Sequence, residues 1–152
     1  MAGGGTLLVP SGQRAMMQPG MMPYPIVLSA PAARVTDEAS PITVLAPNDP
    51  LLSTPNRISD ADWRGWIQDR ALYMPTTFDP RYQTVVATND PGEPPNASGI
   101  LRAAIGRGSY IYTTLAFFRQ LPAGIPGAAR LFVNLLGPPI ASTASGAGAV
   151  SP

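Results

Sequence analysis

Apolar residues fall along this chain in short runs, most of them closed by glycine or proline. Thr6-Leu7-Leu8-Val9 lies between Gly3-Gly4-Gly5 and Pro10, which predicts a core strand of the kind that parallel sheets bury. Ile26-Val27-Leu28, Ile42-Thr43-Val44-Leu45 and Thr84-Val85-Val86-Ala87 predict shorter strands. Ile100–Ile105 and Ser109–Leu115 carry the strongest strand pattern, the second being rich in aromatic and β-branched residues. Gly106-Arg107-Gly108 between them is a hairpin turn and not a phosphate loop, because no helix follows to receive a phosphate.

Two stretches carry helical spacing. Ser59-Asp60-Ala61-Asp62 offers an N-cap followed by acids. Trp63, Trp66, Ile67 and Arg70 then recur three and four apart, predicting a short helix that ends before Met74-Pro75. A last helix opens at Pro126, carries an apolar stripe of Ala128, Leu131, Phe132 and Leu135, and stops at Gly137-Pro138-Pro139. Residues 11–25, 29–41, 89–95 and 117–124 read as loops, and the four Met of 11–25 as flexible gap fillers. Residues 138–152 read as a disordered tail, leaving 1–137 as the folded unit.

Composition narrows the chemistry. The 152 residues hold 19 Pro and 15 Gly, and only 12% are charged, which predicts a loop-rich domain with few helices. All ten basic residues are Arg, scattered singly, so no stripe for nucleic acid is expected. No apolar run is long enough for a membrane helix. Met1 opens no signal-peptide pattern, which makes the cytoplasm the default compartment for this chain as it stands. There is neither Cys nor His, which excludes disulfides, thiolate or imidazole metal sites, and Cys–His or Ser–His–Asp catalysis. No cofactor, metal ligand set or catalytic residue is expected.

The candidate site residues are therefore binding groups. Arg119 follows the C-terminal end of the best strand, where open α/β sheets place ligands, and could grip a carboxylate or sugar hydroxyls, or else bond loop carbonyls. Trp63, Trp66 and Tyr73 could form a stacking face for sugar or belong to the core. Asp90 and Glu93, three apart on one loop, could act as general acid and base, bind a cation, or be turn residues. Asp37 and Glu38 are adjacent and unremarkable by spacing.

Several segments resemble one family. Ser53-Thr54-Pro55-Asn56 with Trp63-Arg64-Gly65-Trp66-Ile67-Gln68-Asp69-Arg70-Ala71-Leu72-Tyr73-Met74-Pro75 is similar to a "TPN…F-x-G-W-V-Q-E-R-G-L-Y-F" region of LmbE-like (PIG-L) deacetylases. Asp90-Pro91-Gly92-Glu93 resembles their acidic loop, and Arg34-Val35-Thr36-Asp37-Glu38 is a shorter match. Gly106–Thr113 with Phe117–Phe132, including Phe118-Arg119-Gln120-Leu121-Pro122-Ala123-Gly124-Ile125-Pro126-Gly127, resembles their closing segment. In that family these motifs lie in a C-terminal domain similar to class I glutamine amidotransferases and ThuA-like proteins. The resemblance, over roughly residues 3–137, implies an α/β fold with a partial flavodoxin-like sheet whose opening strands and helices lie elsewhere. The family's His-Pro-Asp-Asp zinc motif is absent, as are the Cys and His of an amidotransferase triad. The expectation is thus a non-catalytic accessory domain, binding carbohydrate or supporting a deacetylase domain. The alternatives are a carboxylate-dependent hydrolase acting on carbohydrate, or a fragment without independent function that self-associates through an open sheet edge.

Overall fold

A computed structural model describes residues 3–140. Seven strands form in chain order: β1 (Gly5–Pro10), β2 (Ile26–Val35), β3 (Ile42–Val44), β4 (Ala71–Phe78), β5 (Gln83–Thr88), β6 (Asn96–Ile105) and β7 (Gly108–Thr113). Two α-helices follow, α1 (Phe117–Gln120) and α2 (Pro126–Leu135), and single 3₁₀ turns occupy Arg14–Met17, Pro50–Leu52 and Asp60–Trp63. The architecture is mixed α/β, mostly sheet with few helices. The main sheet is open, in the order β1-β7-β6-β5-β3, and β2 pairs with β4 in a separate ribbon. Among the described strands, β1 and β7 are the parallel pair, and the other pairings are antiparallel.

The two-residue period of the strands sorts side chains onto two faces. From β7, Ile111 points into a core with Val86, Ile100, Leu115 and the α2 residues Leu131 and Leu135. Its neighbours Tyr110 and Tyr112 point the other way, among Val9, Tyr82 and Leu101. The helices α1 and α2 and the 50–52 and 60–63 turns cover the first face. The second is covered by Ile26 of β2 and by the 14–24 segment, whose Met16, Met17 and Met22 pack there as gap fillers.

Two glycines permit the closest approaches. A Cβ on Gly127 would sit 1.9 Å from the Asp62 carbonyl oxygen, so α2 can lie on the 60–63 turn only without one. A Cβ on Gly99 would sit 2.8 Å from the Val86 carbonyl oxygen, where β5 crosses β6 through a register shift.

Three expected elements differ. The helix predicted from Ser59 is one 3₁₀ turn, because the Ser59–Asp62 capping box closes a single turn before Arg64 turns extended and Gly65 takes φ +71. The chain then enters β4, so Trp63 and Trp66 face the core through a turn and not along a helix. Residues 29–35, expected as loop, continue β2, with register shifts against β4 on both sides of Ala33. Phe117–Gln120, also expected as loop, is helical because Phe117 anchors it in the core. Of the expected tail, residues 141–152 lie outside the described residues. Ile140 is held on the sheet, its N–H donating to Ser109 Oγ at 2.7 Å. No helix among the described residues is long and apolar enough to cross a membrane.

Candidate functional site: a cleft on a buried arginine

The sequence candidates do not all meet in one place. Asp90 is a structural clasp. Its carboxylate accepts from the Thr36 and Asp37 N–H groups at 3.0 Å each, and from the hydroxyls of Thr36 and Ser40 at 3.0 and 3.1 Å. Desolvation pushes its pKa up, but the bonds from Thr36, Asp37 and Ser40 outweigh that and hold it below 3.8. A carboxyl held ionised in this way is a poor general acid. Glu93 is exposed on the rim of a different cleft of about 460 Å³, walled by Val35, Met74, Pro75, Pro94 and Pro95. Thr88, whose buried hydroxyl has no hydrogen-bond partner among the described residues, also lines this cleft.

Arg119, on α1, makes an ion pair with Asp69 at 3.2 Å and has 44% of its side chain exposed. Asp69 belongs to a segment that Gln120 holds down. The Gln120 amide accepts from the Ile67 N–H at 2.8 Å and donates to the Ile67 carbonyl at 2.7 Å. Tyr73 lies half-buried in β4 at φ +54, and its carbonyl accepts from the Tyr112 hydroxyl at 2.8 Å. That left-handed residue absorbs the extra position in β4 where Val35 pairs with Ala71 and Ala33 with Met74.

Trp66, together with Trp63, borders a further cleft. Trp66 is buried, with its ring 5.8 Å from those of Trp63 and Phe117, and its indole N–H donates to the Asp62 carbonyl at 2.9 Å. Its faces are thus used in the core, and no open stacking platform is offered. The cleft beside it, about 590 Å³, is bounded by Ser40, Ile42, Trp63, Gly65 and Trp66, with Arg70 at its inner wall. Exposed Glu38, Asp60 and Arg64 border it.

Arg70 is 3% exposed. Its Nε and one terminal nitrogen donate to the Ser40 carbonyl at 3.1 and 2.8 Å, and the other terminal nitrogen donates to the Trp63 carbonyl at 2.8 Å. The Trp66 ring lies 5.4 Å from the guanidinium carbon. Arg70 takes part in none of the four ion pairs found among the described residues. Burial lowers its pKa to about 10, with the charge of Asp37 opposing the shift, so it is cationic at neutral pH.

Ser40 joins the two charges. Its hydroxyl donates to Asp90 and its carbonyl receives Arg70, so the 36–41 loop is fixed from both sides and forms a rigid cleft wall. Neither Arg70 nor Ser40 was among the sequence candidates. The available signal was the charged pair Asp69-Arg70 directly before the apolar run Ala71-Leu72-Tyr73-Met74, where burial forces a side chain to find partners. No group of three or more Asp or Glu able to hold a metal occurs among the described residues. No family model, curated protein or solved structure matches this chain.

Proposed function

We propose that this chain is a non-catalytic, carbohydrate-binding accessory domain of a PIG-L/LmbE-type N-acetyl-sugar deacetylase, built on the closing part of a flavodoxin-like, glutamine-amidotransferase-like sheet. The observation that carries the binding reading is the 590 Å³ cleft with a buried cation at its inner wall and carboxylates on its rim. Its size suits a small polar ligand. The sequence resemblance supplies the family. The support from the fold is limited to its α/β class and to the parallel β1–β7 pair followed by α1 and α2; the other three described pairings of the main sheet are antiparallel.

The hydrolase alternative asks Asp90, Glu93 and Arg119 to share a cleft. Asp90 is instead committed to Thr36, Asp37 and Ser40, and Arg119 to Asp69, while Glu93 borders a cleft that neither of the others lines. The edge of β1, unpaired among the described residues and with Leu7 43% exposed, is the surface at which this domain would pair with a deacetylase domain or a second copy.

The test is to incubate the purified chain with chito-oligosaccharides, with and without zinc, and to follow binding by the two tryptophan indole signals and chemistry by acetate release. Saturable indole shifts without acetate are expected. Acetate release by this chain alone would overturn the reading, and so would unshifted indoles.

A further inference from the structure

Building on the binding-domain reading, we infer that the Arg70 cleft selects an acidic sugar, a polyhydroxylated ligand with one carboxylate, seated with that carboxylate on Arg70 and its hydroxyls on the Glu38 and Asp60 rim. A guanidinium has five N–H donors. Arg70 gives three to the Ser40 and Trp63 carbonyls, leaving one on each terminal nitrogen without a partner among the described residues. These are donors only, on a cation that the charge of Asp37 reaches but that makes no ion pair among the described residues, so they favour an anionic acceptor. The rim has the opposite deficiency. Glu38 and Asp60 only accept, and a ligand must bring neutral donors to them, because a second anionic group there would be repelled.

Hydroxyls on one carboxylate-bearing skeleton meet both demands. Ile42 and the edges of Trp63 and Trp66 supply the apolar wall that a sugar ring needs. Exposed Arg64 stands on the same rim and is the competing anchor for the carboxylate. The fixed 36–41 loop means that the cleft is formed before the ligand arrives.

The experiment is calorimetric titration of the full chain with glucuronate, glucuronamide, propionate, N-acetylglucosamine and inorganic phosphate, repeated on Arg70→Gln, Arg70→Lys and Arg64→Ala, with thermal unfolding as the control for folding. Glucuronate is expected to bind at least about tenfold more tightly than glucuronamide or propionate, the scale of losing one charge-assisted pair. Arg70→Gln should abolish that preference and Arg70→Lys restore part of it, while Arg64→Ala leaves it in place. The ligand series on the unaltered chain stands even if the Arg70 variants unfold. Equal binding of glucuronamide or N-acetylglucosamine overturns the acidic-sugar inference but keeps the carbohydrate-binding reading. Equal binding of propionate or phosphate overturns the sugar part, and loss of the preference in Arg64→Ala overturns the assignment to Arg70. No binding of any ligand overturns both readings.

Discussion

Two arginines are buried in this domain, and they are solved differently. Arg102 on β6 meets the buried carboxylate of Asp49 at 2.6 Å. Asp49 in turn caps the 50–52 turn by accepting from the Leu51 N–H at 3.0 Å. The charge of Arg102 is thus matched within the chain through its Nε–H, and the pair belongs to the architecture. Arg70 is buried more deeply yet bonds only to neutral carbonyls. Burial alone therefore does not mark an arginine as structural. The distinction lies in how the charge is met: Asp49 contacts Arg102 directly, whereas Asp37 acts on Arg70 without forming an ion pair and leaves room for a closer anion.

The sharpest way to break the contrast is to make Arg102 resemble Arg70. Asp49→Ala strips a buried guanidinium of its counter-ion and is expected to cost about 3–5 kcal/mol in urea unfolding. Gly127→Ala, which drives a methyl into the Asp62 carbonyl beneath α2, should cost about 3 kcal/mol, at the upper end of overpacking. Arg70→Met should cost less than either, about 1–3 kcal/mol, because the Ser40 and Trp63 carbonyls lose donors while an unmatched buried charge is removed.

Asp90→Asn probes the other side of the Ser40 loop. Asp90 and Asp62 both have folded-state pKa values below 3.8. For Asp62, burial raises the value, and the bonds from Ser59 and the charge of Arg130 overcome it. Their stabilisation is fully present above the unfolded value and is lost as pH falls through the lowered folded one. An acid titration of unfolding should therefore be flatter below about pH 4 in Asp90→Asn than in the parent. The smallest effect is expected for Arg81→Ala. Arg81 is exposed and its half-buried partner Asp79 lies two residues away, and the urea midpoint should not move.

The sequence made the sheet legible and the site largely not. The parallel core strand at Thr6–Val9, the hairpin at Gly106–Gly108 and the helix opening at Pro126 are local patterns, and local propensity dictates them. The 59–73 segment misled because Trp63, Trp66, Ile67 and Arg70 keep helical spacing, although Gly65 breaks the helix and the tryptophans are held by contacts from α1 and α2. Arg119 and Asp90 drew attention as charges on loops, but their partners, Asp69 and Thr36–Ser40, lie 50 and more residues away. Such pairings are set by topology and leave no spacing to read. The same holds for Arg70, whose carbonyl partner Ser40 is 30 residues distant.

The most direct measurement is NMR of the arginine Nε–H signals during glucuronate titration, with Arg70→Lys and Arg102→Lys used for assignment. The Arg70 signal should move in a saturable way while that of Arg102 stays fixed. An unmoved Arg70 signal, or equal movement of both, would contradict the claim that one buried arginine completes the fold and the other is completed by a ligand.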